Sequence, residues 1–208
     1  YGEATIIIKG TLNISTSVTI KGTGNYVASV KDGGILNISS GKIDSSSATG
    51  GIMIEKNGKA IVKGGIITGD SQEIIYNNGT LQVSGIAEIN STNKDVGKVI
   101  YNNGILEIAE TALINWQSNI DENFNIYNDA SGEMTVSGGS IIQTSTLDNK
   151  TGEHGAIVNK GTLKISNSAD IESDVSRTIV NRGGNISITG GTIKLNVTTT
   201  GTAFMNTS

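Results

Sequence analysis

The chain has no cysteine and no proline among its 208 residues. The first absence excludes disulfide frameworks, thiolate nucleophiles and cysteine metal sites. The second leaves turns to be made by glycine, asparagine and serine. Aromatic residues are only 4% of the composition, and Arg177 and Arg182 are the only arginines. With a net charge of -4, so few guanidinium groups argue against a nucleic-acid partner. No apolar run approaches the roughly 20 residues that span a bilayer, so membrane insertion is not expected. Neither a secretory leader nor a lipidation signal can be read, although the first residue is Tyr1 rather than Met, which leaves room for a trimmed leader.

What is present is glycine, 28 residues of it, and a repeat. Ile75-Tyr76-Asn77-Asn78-Gly79-Thr80-Leu81-Gln82-Val83 returns as Ile100-Tyr101-Asn102-Asn103-Gly104-Ile105-Leu106-Glu107-Ile108. A unit this short cannot bury its apolar face alone and must stack on copies of itself. Aligned on the apolar residue after the turn, the copies fall at Leu12, Leu36, Ala60, Leu81, Leu106, Met134, Leu163 and Ile186, spaced by 24, 24, 21, 25, 28, 29 and 23.

Two residues after each anchor stands Ile14, Ile38, Val62, Val83, Ile108, Val136, Ile165 or Ile188, the alternation of a strand with one buried face. Five or six residues further on comes an isoleucine, at positions 20, 43, 67, 89, 114, 142, 171 and 193. A third apolar segment precedes each anchor, as in Ile52-Met53-Ile54 and Ala156-Ile157-Val158. No segment has the 3.6-residue apolar period of a helix. Three short strands per unit predict an all-β fold, a right-handed parallel β-helix of about eight coils forming a single domain over 1–208. At a strand spacing of ~4.8 Å, eight coils make a rod roughly 40 Å long. Residues 201–206 restate the first strand, so a ninth coil is expected to begin there, as in a segment of a longer protein.

Asn77, Asn102, Asn159 and Asn181 each precede a turn glycine by two residues, and Asn128 joins them if its coil carries a two-residue insertion. Stacking would align these amides into a structural ladder. Clustered carboxylates of the kind used for glycosidic acid/base chemistry are scarce. The nearest group is Asp170, Glu172 and Asp174, with Arg177 and Arg182 following, and it reads as solvated turn charges. His154, the only histidine, has no nucleophile suggested beside it. No catalytic residue, metal site or cofactor is expected.

The signal for function lies where the coils grow. Connections lengthen over 90–98, 115–125 and 143–155, and three consecutive long loops would emerge side by side on one flank, a common place for binding residues. They collect Trp116, Asp121, Glu122, Phe124, Lys94, Asp95, Asp148, Lys150 and His154 as candidate ligand-binding residues. An indole there could stack on the apolar face of a sugar while neighbouring polar groups bind its hydroxyls. The competing expectation is that Trp116 and Phe124 turn inward and pin the loops.

The two Ile-Tyr-Asn-Asn-Gly units, together with Ser-Gly-Gly-Ser-Ile-Ile at 137–142 and Thr-Gly-Gly-Thr-Ile at 189–193, resemble the pectate-lyase-like β-solenoids of Gram-positive cell-surface adhesins, which include the binding regions of serine-rich repeat proteins. That resemblance implies a secreted, wall-attached bacterial surface protein. It also implies an adhesin that binds a glycan, mucin or polysaccharide partner without turnover. The calcium and arginine arrangement of pectate lyases is not found. A polysaccharide-degrading enzyme on the same fold and a passive spacer are the alternatives. The oligomeric state and the ligand are not legible.

Overall fold

The computed structural model describes residues 4–93, 97–118, 124–145, 155–196 and 201–207. Among them are twenty-five strands and no helix, wound as a parallel β-solenoid of about eight turns. The coils span 4–21, 26–44, 50–69, 73–91, 98–118, 124–145, 155–173 and 177–195, each with three strands. One strand of every coil enters each of three sheets, of nine, eight and eight strands. The ninth strand of the first sheet is Thr202–Thr207, which pairs with Arg177–Arg182, as the restated motif leads one to expect.

Register follows the repeat. Leu12, Leu36, Ala60, Leu81, Leu106, Met134, Leu163 and Ile186 are successive partners in the second sheet. Ile52, Ile75, Ile100, Ile126, Ile157 and Ile179 form the matching row of the first sheet, all fully buried. Branched aliphatics suit a pleated, half-buried surface. Each fully buried one contributes about 1.5 to 3 kcal/mol before entropy is subtracted.

One residue of the third sheet differs from expectation. Ile141, not Ile142, pairs with Ile114 and Ile171 and points inward; Ile142 is half-exposed on the outer face. The corner explains it. At Gly139 the chain takes φ 75°, a left-handed conformation open to glycine without strain, and this closes the bend in five residues. Gly65 and Gly191 do the same before Ile67 and Ile193. In three of the six-residue corners the left-handed residue comes earlier, at Gly85, Glu110 or Asn167, and a buried alanine, Ala87, Ala112 or Ala169, fills the extra step.

The asparagine ladder is continuous. Asn77 Nδ2 donates to Asn102 Oδ1, Asn102 to Asn128, Asn128 to Asn159, Asn159 to Asn181 and Asn181 to Asn206, each at 2.7 Å. The second amide hydrogen serves a corner carbonyl, as in Asn77 to Ile105 O at 2.9 Å and Asn181 to Gly184 O at 2.7 Å. Asn128 does occupy its rung through a longer corner, since Glu133 is partnered with Ile105. In the first three coils the same inward place is aliphatic, with Ile8, Val30 and Ile54.

The rungs are fully enclosed at Asn77, Asn102, Asn128 and Asn159, so breaking one strands its neighbours. Asn128→Leu would leave a donor on Asn102 and an acceptor on Asn159 buried and unpaired, at about 1 to 3 kcal/mol each. Denaturant unfolding is expected to show a loss of about 2 to 6 kcal/mol for this variant. Asn206, exposed at the last rung, should lose less than about 1 kcal/mol when changed to Ala.

Candidate functional site

Of the nine loop residues expected to form a binding patch, Lys94, Asp95, Asp121, Glu122, Asp148, Lys150 and His154 lie outside the described residues. The two aromatics do not stand on an open loop. Trp116 belongs to the strand Leu113–Ser118, where Ile114, Trp116 and Ser118 are buried in alternation and Gln117 faces out. Its exposure is 0%, and its indole N–H donates to the Asn93 carbonyl. The segment expected to leave the coil at Asn115 thus continues as strand to Ser118, because the two-residue alternation persists. Gln143 likewise lies within the strand Ser140–Ser145. The indole face is packed inside the coil, which removes the sugar-stacking geometry expected of it.

Phe124 opens the strand Phe124–Asn128 and is 3% exposed, but it lies outside the main core. It packs with Val158 and Val180 in a second apolar cluster, against which Tyr127 and Met205 rest. Val158 is the register partner of Tyr127 and Val180 that of Val158, on the outer side of the first sheet, yet both are fully shielded. The Arg182 guanidinium lies 5.9 Å from the Phe124 ring centre. Arg177 Nε donates to Met205 Sδ at 3.1 Å.

That outer side carries a feature the loop argument missed. Between the inward isoleucine and the inward asparagine of each repeat stands a residue that must face out, and in three successive coils it is tyrosine: Tyr76, Tyr101 and Tyr127. In-register pairing sets one ring over the next. Tyr76 and Tyr101 have centroids 4.7 Å apart at an interplanar angle of 9°, and Tyr101 and Tyr127 are 5.5 Å apart at 11°. Stacked this closely, the rings cover one another's faces and leave their edges for other contacts.

Charged and amide groups border the stack. Lys98 Nζ lies 5.9 Å and 5.5 Å from the centres of Tyr101 and Tyr127, and Lys160 Nζ lies 5.2 Å from that of Tyr127, within cation–π range. Lys98 also lies 3.8 Å from a Glu73 carboxylate oxygen. Asn103 Nδ2 donates to Asn78 Oδ1 at 3.0 Å, a second amide pair beside the buried ladder. A shallow, open depression bounded by Met53, Glu55, Lys56, Asn78 and Asn103 continues the surface toward the earlier coils.

The Tyr101 hydroxyl donates to the Asp129 carboxylate. This bond, opposed by burial and aided by the Ala130 backbone and Lys160, holds the Asp129 carboxyl below its ordinary range. Burial, then the Asp129 bond, pushes the Tyr101 phenol above its own. The sequence signal for this surface is the Tyr within Ile-Tyr-Asn-Asn-Gly, whose parity alone assigns it to the outside.

Two of the three carboxylates at 170–174, those of Glu172 and Asp174, are engaged separately. Glu172 accepts Lys194 Nζ at 2.8 Å and Asn196 Nδ2 at 3.1 Å, and the Lys194 bond lowers its pKa. Asp174 accepts the Ser145 backbone N–H at 2.8 Å. Asp170 and Glu172 face out from the third sheet, whereas Arg177 and Arg182 lie on a strand of the first. Among the described residues no group of three or more His, Cys, Asp or Glu is placed to hold a metal ion. No protein-family model, curated protein or solved structure matches the chain.

Two measurements check this assignment of roles. Trp116→Ala deletes a fully buried indole and should cost about 3 to 5 kcal/mol in denaturant unfolding, where an exposed indole would cost almost nothing. The Tyr101–Asp129 bond should be visible as a pH-dependent difference in Tm between the wild type and Tyr101→Phe. Asp129 has a depressed pKa in the folded state, so its contribution is complete above about pH 5 and falls away as the pH drops below about 4. Tyr101 has a raised one, so the contribution also declines as the pH rises beyond about 10.

Proposed function

We propose that the protein is a surface binding module, the ligand-contacting part of a bacterial adhesin, that holds a polysaccharide or glycoprotein glycan without turnover. The observation that carries this reading is the outer face of the first sheet. A stacked row of three tyrosines in successive coils, with lysines beside the rings and the Asn78–Asn103 amide pair bordering them, lies along the solenoid at the coil spacing. An extended polymer laid along the axis would meet a tyrosine at each of three successive coils, and a rigid scaffold keeps the entropic cost of binding low. Contact would come chiefly through ring edges, phenolic hydroxyls, Asn78 and Asn103, since both faces of Tyr101 and the inner faces of Tyr76 and Tyr127 are occupied by one another. The resemblance of the repeat units to cell-surface β-solenoids supports an exported, surface-attached setting, and the Tyr face takes the place of the loop flank as the binding surface.

A glycan array probed with the wild type, Tyr101→Ala and Lys98→Ala tests this, with circular dichroism to verify the fold of each variant. Binding to at least one polysaccharide class is expected, weakened about tenfold or more by Tyr101→Ala, in keeping with the loss of one central aromatic contact. Absence of binding to any glycan, or binding unaffected by both substitutions, would overturn the proposal. Release of reducing or unsaturated ends from a bound polysaccharide, with or without Ca²⁺, would replace it with an enzymatic one.

A further inference from the structure

Apart from the asparagine ladder, the buried amide side chains among the described residues sit at one level of the solenoid. In the sixth coil the residue just inside the first sheet is Asn125, and the one at the end of the third sheet is Gln143, both fully buried. These positions face each other across the same corner. The fifth coil fills them with Val99 and Trp116, and the seventh leaves them small, with Ala156 and Ser173. Two amides therefore sit over a large indole and under two small side chains.

Their hydrogen bonding is incomplete. Asn125 Nδ2 donates to the Ile142 carbonyl at 2.6 Å and to that of Ile114 at 3.4 Å, which fixes the orientation of its amide. Asn125 Oδ1 has no partner, and neither does Gln143 Nε2 or Gln143 Oε1. Exchanging the oxygen and nitrogen of Gln143 leaves the deficit unchanged, because both ends lack a partner. Buried amides in folded proteins are almost always satisfied, and where protein groups do not do it an ordered water does.

We infer that this corner is an internal hydration site in which one or two integral water molecules bridge Asn125 Oδ1 and the Gln143 amide. The identity of the occupant follows from the donor and acceptor count. A cation would satisfy the two carbonyl oxygens and face the Gln143 N–H donors unfavourably. An anion would do the reverse. Water donates to both oxygens and accepts from Nε2. The site lies on the two third-sheet strands that run to six residues, Leu113–Ser118 and Ser140–Ser145. The bridged amides thus tie the last turn of those strands to the first sheet where an aliphatic pair would leave the corner unlinked.

Trp116, the sole tryptophan and the register partner of Gln143, is a built-in reporter. The decisive measurement is made on the uniformly ¹⁵N-labelled wild-type chain. Water-selective nuclear Overhauser spectra should contain cross-peaks from a long-lived water to the Gln143 side-chain NH₂ protons, a pair identified by its loss in Gln143→Met. The double variant Asn125→Val with Gln143→Met should lose the long-lived water and shift Trp116 emission to shorter wavelength. Gln143 NH₂ protons without a water cross-peak in the wild type would overturn the inference, and that outcome does not depend on whether either variant folds.

Discussion

The structure depends on like residues meeting like residues across a parallel, in-register pairing. Each strand hydrogen-bonds to the equivalent strand of the next coil, so every side chain is held one strand spacing from its counterpart. A residue's value is then set by its neighbours in the column as much as by its own burial. Isoleucine over isoleucine makes a dry core. Asparagine over asparagine makes a chain of amide bonds in which each rung is both donor and acceptor, and a buried polar group becomes tolerable only because the coils on either side supply the same group. Where the column changes type, as from Ile54 to Asn77, the ladder begins, and its first rung is anchored by its own corner, with Asn77 Oδ1 accepting the Gly79 N–H at 3.1 Å.

The same rule shapes the exterior. Tyr76, Tyr101 and Tyr127 stack because they share a column, and the stack hides ring faces that would otherwise be available to a ligand. The surface they create is a row of edges and hydroxyls bordered by lysines and amides. The Tyr101–Asp129 bond crosses from one coil to the next, so the polar margin of the face is tied to the same coil stacking as the core. Core and candidate site are opposite sides of one strand, and what rigidifies the first orders the second.

Corner chemistry supplies the only adjustable part. Unequal coil lengths are absorbed by bends of five or six residues and by connections of differing length, while the columns stay aligned. Ile141 and Ile142 illustrate how finely this is set: a left-handed glycine one step from the strand decides which of two adjacent isoleucines enters the core. The pattern was available in the chain, since Ile67 and Ile193 also follow the second of two glycines by two residues. Spacing alone, without the turn geometry, pointed one residue too far.

Most of the fold was legible because apolar alternation, turn glycines and the recurring Asn report directly on local geometry, and the stacking repeats that geometry. The all-β solenoid, the three strands per coil, the second-sheet core column and the amide ladder all follow from it. The site was less so. Trp116 looked like part of a long connection, yet Ile114, Trp116 and Ser118 share a parity that keeps the indole inside. The tyrosines looked like markers of the repeat, and their parity assigned them to the surface. What the sequence determined by itself was the column each residue occupies, because strand alternation is a property of the chain. What only the tertiary structure decided was which columns remain open, how far the strands at 113–118 and 140–145 extend, and that two amides from different strands share one corner. Those outcomes depend on contacts between coils and across corners, which no local pattern encodes.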